Sequence, residues 1–117
     1  MSGTQSLRHL VRLDVAKELT FTGRIVSGEE AQALGLATRV APDPRAAAFE
    51  AAREIAARSP SAVRAAKRLL EAAPRVSTQE GLRLEEELQR GLLGGANQVE
   101  AVQANLEKRA PRFVDPD

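Results

Sequence analysis

Signals that start and stop helices recur along this chain, and they restrict it to a series of short helical segments. Ser27-Gly28-Glu29-Glu30 and Ser77-Thr78-Gln79-Glu80 both fit the capping box, in which a hydroxyl and a later carboxylate satisfy orphan backbone donors reciprocally. Asp43-Pro44 and Ser59-Pro60 each place a capping side chain before a proline, which is harmless in the first helical turn because the N–H it lacks has no partner there. Gly23, Gly35 and the pair Gly94-Gly95 fall where helices should stop. Between these marks the sequence predicts helices over 4–11, 13–22, 28–34, 44–58, 60–73, 78–93 and 97–109, an all-α chain of about six or seven short helices. Leu36-Ala37-Thr38-Arg39-Val40 departs from this pattern by alternating, with β-branched residues at two positions. It is either one short strand at 36–40, whose sheet other residues must supply, or extended coil.

Apolar residues recur at helical spacing in Phe49, Ala52 and Ala56, in Val63, Ala66 and Leu70, and in Val99, Val102 and Leu106. These read as helices with a single apolar side. The segment 78–93 differs, with Leu84, Leu88 and Leu92 along one face and Leu82 and Leu93 near the opposite one. A helix that is apolar on two sides has to be covered on two sides. That points to another subunit or a further domain, or else to a central place in a small bundle.

The core available to these helices is thin. Leu, Ile, Val and Phe supply 28 of the 117 residues, enough for folding, but alanine alone supplies 21 and buries little apolar area per residue. Stability in isolation is therefore expected to be marginal. Seventeen basic and sixteen acidic residues leave a net charge of +1, which argues against a general nucleic-acid footprint. The chain has no cysteine and a single histidine, His9, so disulfides and a Cys or His metal site are excluded. No apolar run is long enough to span a membrane and no signal peptide is visible, which makes the cytoplasm the default compartment.

Several groups invite a chemical reading. Ser6, His9 and Asp14 are a serine, a histidine and an acid, but at a spacing that fits no nucleophile motif. Glu85, Glu86 and Glu87 are consecutive on a helix, point in different directions and cannot converge on one atom; Glu86 precedes Arg90 by four, as on a solvated face. Arg64, Lys67 and Arg68 form a basic stripe that suits solvent better than DNA, whose reading would need a second helix and a wider basic surface. Gly3-Thr4, ahead of a helix, offers backbone N–H groups to an anion. Lys108, Arg109 and Arg112 gather positive charge beside Phe113, which suits a phosphate or a nucleotide.

Taken together, four ordered blocks resemble the C-terminal portion of the enoyl-CoA hydratase/isomerase family, the crotonase superfamily. "SGTQSLRHLV" is similar to the family's Gly-Gly-Thr-Gln turn and following helix, with Ser2 where glycine is usual. "AKELTFTGRIVSGEEAQALGLATRV" follows the family pattern at Ala16, Glu18, Leu19, Thr22, Gly23, Val26, Glu30, Ala31, Gly35, Leu36 and Val40. "ARSPSAVRAAKRLL" resembles the next signature, and "EAVQANLEKRAPRF" the closing helix with its E-K-R-x-P-x-F ending.

The resemblance implies the helical C-terminal region of the crotonase fold. Residues 1–41 would pack on a spiral of ββα turns, and 42–117 would cover coenzyme A and join subunits. In the family that spiral binds the acyl-CoA thioester, supplies the two oxyanion N–H donors and carries the catalytic acids, all upstream of the residue matching Met1. The chain is accordingly expected to be the tail of such an enzyme, with no catalytic residue and no activity of its own, since one donor is worth roughly 3–4 kcal/mol and acid–base work about 10²- to 10⁴-fold.

By the same resemblance, Lys108 would approach the nucleotide phosphate of a neighbouring subunit's CoA, and Gly3 and Thr4 would edge the active site. The family usually places an aromatic against adenine where this chain has Asn105. A homo-oligomer, a trimer or dimer of trimers in the family, would follow, with no cofactor beyond the CoA of the substrate and no nucleic-acid or membrane partner. A separate class of function, a non-enzymatic helical interaction module, uses the same two-faced helix.

Overall fold

A computed structural model describes residues 3–116, which fall into two compact units divided after Ala48. Ser2 lies outside the described residues. Seven α-helices form among the described residues: α1 Gly3–Leu10, α2 Leu13–Thr22, α3 Gly28–Leu34, α4 Pro44–Ala56, α5 Pro60–Ala72, α6 Thr78–Leu92 and α7 Ala96–Leu106, with a 3-10 turn at Ala73–Arg75. Residues 36–40 carry no helix, with bends at Leu36 and Thr38, and no strand forms among the described residues.

In the N-terminal unit, local chemistry sets the helix ends. Gly23 and Gly35 take left-handed conformations at φ 61° and 86° and terminate α2 and α3. Gly35 is required twice over, because a Cβ there would lie 2.9 Å from the carbonyl oxygen of Leu10. Ser27 caps α3 by accepting from the Glu30 N–H at 3.1 Å. The expected return half of that box is missing. Glu30 instead takes both terminal nitrogens of Arg24 at 2.7 and 3.0 Å, while the same guanidinium holds Glu18 at 2.6 and 3.2 Å. A forked, charged donor wins over a neutral backbone N–H. One side chain thereby ties the end of α2 to the start of α3.

In the C-terminal unit α5 packs on α6. Ser77 and Glu80 complete a full capping box at the start of α6, and Ser59 caps α5 ahead of Pro60. Asp43 caps α4 by accepting from Ala46 N–H at 3.0 Å. Leu84, Leu88 and Leu92 are half-buried along one face of α6, whereas Leu82 and Leu93 are 62% and 65% exposed.

The other apolar stripes are largely exposed. On α5 Ser61, Val63, Ala65, Leu69 and Ala72 are half-buried, so of the expected stripe Val63 is sheltered while Ala66 and Leu70 are exposed, Leu70 at 72%. On α7 the sheltered residues are Asn97, Glu100, Ala101 and Ala104, while Val99, Val102 and Leu106 face away from the chain. Phe49, Ala52 and Ala56 of α4 are likewise exposed, with Ala47 and Ala51 half-buried in their place. Among the described residues only Ala104 and Asn97 are buried.

Candidate functional site

The sequence places its binding residues at the two ends of the chain, and each end is built differently. Gly3 and Thr4 open α1, exposed, with nothing within 4 Å of a Cβ built on Gly3. Nearby, Ser6 and His9 make no contact with each other; His9 Nε2 accepts from Arg8 Nε at 3.0 Å, and Asp14 is held by Arg12 at 2.6 Å. No nucleophile and base are brought together there.

The C-terminal end is more constrained. α7 was expected to run to 109 but stops at Leu106, so Lys108 lies in a turn and not on the helix. Lys108 is in the left-handed region at φ 54°, the one side-chain-bearing residue there among those described. Its N–H donates to the Asn105 carbonyl at 3.3 Å, and the Arg109 N–H reaches back to the Ala104 carbonyl at 3.0 Å. This is the Schellman termination, with lysine in the place glycine usually takes. No glycine signalled the stop, which is why the sequence pattern ran through it.

Arg109 does not stand with Lys108 as a free cation. Its Nη1 and Nη2 donate to Glu100 at 2.6 and 3.0 Å, and its Nε donates to Glu107 at 2.5 Å. Glu100 also accepts the Arg112 N–H at 2.6 Å. These donors hold the Glu100 carboxyl down at about 2, first through Arg109 and then through the Arg112 backbone. Lys108 makes no ion pair or side-chain hydrogen bond among the described residues, and neither does the Arg112 guanidinium. Asn105, standing where the family has an aromatic, is exposed.

Beyond Arg112 the chain is fastened to α5 and α7 by a polar clamp that the sequence did not announce. The Asn97 amide donates to the Val114 carbonyl at 2.7 Å and to Ser61 Oγ at 3.0 Å, and its oxygen accepts the Val114 N–H at 2.9 Å. Arg64 holds the Asp115 carboxylate at 3.0 Å and the Pro116 carbonyl at 3.2 Å. The only available signal was an asparagine in helical register with Ala101 and Ala104. The basic stripe is consumed the same way, with Lys67 near Glu71 at 3.9 Å and Arg68 near Glu87 at 3.7 Å. Glu86 pairs with Arg90, as its spacing predicts.

Two of the cavities carry little acid–base chemistry. One of about 390 Å³ is walled by Leu92, Ala96, Ala101, Val114 and Pro116, and the polar side chains on its lining are Ser59, Ser61, Asn97 and Gln98, none of which titrates near neutral pH. Another, about 400 Å³, is lined by Glu100, Arg109 and Arg112. Its carboxylate is saturated with donors and held far below neutral, so it is a poor proton acceptor and no acid. No cluster of three or more potential metal ligands occurs among the described residues. No helix there is long and apolar enough to cross a membrane.

A family model described as enoyl-CoA hydratase/isomerase matches residues 1–116. The chain is 38% identical over 118 residues to the Bos taurus enoyl-CoA hydratase domain-containing protein 2, mitochondrial, covering 96% of this chain and 40% of that protein. It is 32% identical over 117 residues to the Mus musculus methylglutaconyl-CoA hydratase, mitochondrial, covering 95% and 37%. Among solved structures, an enoyl-CoA hydratase from Bacillus anthracis superposes with a TM-score of 0.90 at 37% identity, covering 96% of this chain and 44% of that one. The chain spans about two fifths of the length of the curated relatives it matches.

Proposed function

The chain belongs to the enoyl-CoA hydratase/isomerase family of the crotonase superfamily, and from that premise we propose that it is the helical, subunit-joining and CoA-covering part of an enzyme acting on acyl-CoA thioesters, without turnover of its own. The observation that carries this reading is the outward direction of the apolar stripes. Phe49 of α4 is 51% exposed, Leu70 of α5 72%, and Val99, Val102 and Leu106 of α7 50%, 49% and 77%. Apolar residues left in water on three helices are more than the scattered single residues of an ordinary surface. That favours a covering catalytic core and neighbouring subunits over a free-standing interaction module, whose partner would cover one patch.

Chemistry on the acyl group is assigned to the rest of such an enzyme, because the cavities described above contain neither an acid nor a base poised near neutral pH. Lys108, unpaired and held clear of α7, is the group we assign to the phosphate of a neighbouring subunit's CoA. Gly3 and Thr4 are assigned to the edge of the active-site turn. Assembly is proposed as a homo-oligomer, a trimer or dimer of trimers, and the family's chemistry calls for no cofactor beyond the CoA of the substrate.

The test is hydration of crotonyl-CoA by the purified chain, run beside sedimentation at high concentration. No turnover together with self-association is expected. Turnover above that of a mock purification would overturn the first half of the proposal, and a cooperative monomer at all concentrations the second.

A further inference from the structure

We propose that Glu100 is a positioning residue for Lys108, tying the chain that follows the left-handed turn back onto α7 so that the ammonium group is offered to an anion from a fixed point; this deepens the CoA-phosphate reading of Lys108 and rests on it. A lysine at φ 54° is held against its own preference, since a Cβ crowds the following carbonyl there. Strain of that kind persists only where the surroundings over-determine it. Here the surroundings are identifiable. Arg109, the residue after Lys108, forks onto Glu100, while its Nε holds Glu107, the residue before. Gln103 in turn donates to Glu107 at 3.1 Å. Four residues beyond Lys108 the Arg112 N–H closes on the same Glu100 oxygen that takes Arg109 Nη1.

A single carboxylate on α7 therefore holds Arg109 and Arg112 after the turn, and through Arg109 is linked to Glu107 before it. At 20% exposure it is the most sheltered partner in the group, against 36% for Arg109 and 48% for Glu107. Lys108 and the Arg112 guanidinium are the cations of this span without an ion pair among the described residues, and Lys108 is the one that sits on the left-handed turn itself. A flexible lysine on a mobile turn loses backbone freedom when it binds, and ordering one residue weakens association by roughly tenfold. A lysine on a turn already fixed avoids most of that loss.

The experiment uses the full chain, with coenzyme A as the probe in calorimetry and backbone ¹⁵N relaxation as a readout that needs no ligand. Glu100→Gln is expected to lower order at residues 107–112 and to weaken CoA binding about tenfold, with helix content unchanged. Lys108→Ala should weaken binding at least as much and leave that order intact. Glu100→Asp, which keeps the charge on a shorter stem, should restore part of both. Should Glu100→Gln fail to fold, Arg109→Lys, which keeps charge but loses the fork, carries the same comparison. Unchanged order at Lys108 in Glu100→Gln overturns the proposal, as does lowered order with unchanged affinity. If Lys108→Ala binds CoA as wild type does, or wild type binds none, the phosphate reading of Lys108 fails, and the role given to Glu100 falls with it.

Discussion

Replacing Lys108 by glycine should make the protein more stable while removing a functional side chain. At φ 54° a residue bearing a Cβ sits about 1–2 kcal/mol above its right-handed alternative. Glycine relieves that strain but brings back roughly 0.5–1 kcal/mol of extra freedom in the unfolded chain. No compensating contact is lost, because the Lys108 ammonium has no partner among the described residues and its N–H bond to Asn105 is kept. The net gain is about 0.5–1 kcal/mol. With a urea m-value of roughly 1.5 kcal/mol/M for a domain of this size, the midpoint should rise by about 0.5 M. Urea unfolding followed by circular dichroism at neutral pH measures it. Lys108→Ala is the internal control: it deletes the same ammonium but keeps the Cβ, so its midpoint should stay close to wild type. Equal stabilisation by alanine and glycine would refute the reasoning, since the gain would then come from relief of charge and not of backbone strain. A lower midpoint for the glycine variant would refute it more directly.

Three further outcomes are expected. Gly35→Ala combines a φ of 86° with a Cβ placed 2.9 Å from the Leu10 carbonyl oxygen, and should cost about 2 kcal/mol or more in the same assay; a neutral result would show that α1 moves aside freely. Asn97→Ala leaves the Val114 N–H and carbonyl without their partners and should cost roughly 2–3 kcal/mol, with faster amide exchange at Val114 as the local sign. Glu100 is held at about 2 in the folded chain against an ordinary 4.5, so the stability it contributes is complete above pH 4.5 and declines as pH falls from there, while the bonds themselves break as pH passes through about 2. An acid titration of the Arg112 amide resonance should show that loss, and Glu100→Gln should flatten it.

How much of this was legible beforehand depended on whether the cause was local. Capping and termination are decided within a few residues, so 13–22 and 28–34 came out with both ends correct from Gly23, Ser27 and Gly35. The end of α7 was misplaced by three residues because its left-handed residue is a lysine, and sequence patterns look for glycine in that role. The alternation at 36–40 was real but had no strand beside it to complete a ladder. Arg109 looked like part of a phosphate site because charge near charge is all a sequence shows. The nine residues that separate it from Glu100 become a contact only after α7 folds and the chain turns back. The Asn97 bonds to Val114 span 17 positions and involve backbone groups, which carry no residue signature at all. The periodicity of Val99, Val102 and Leu106 was visible. Which way it faced was not, since period fixes the face of a helix and leaves open what the face meets.

The uncovered leucines and isoleucine have a cellular consequence. Leu82, Leu93 and Ile25, the last 95% exposed, are the kind of apolar surface that chaperones hold and proteases degrade when it stays in water. The steady-state amount of this polypeptide in a cell should thus follow the supply of whatever shields those side chains. A substitution weakening that shielding would show first as a shortened lifetime, ahead of any change in chemistry.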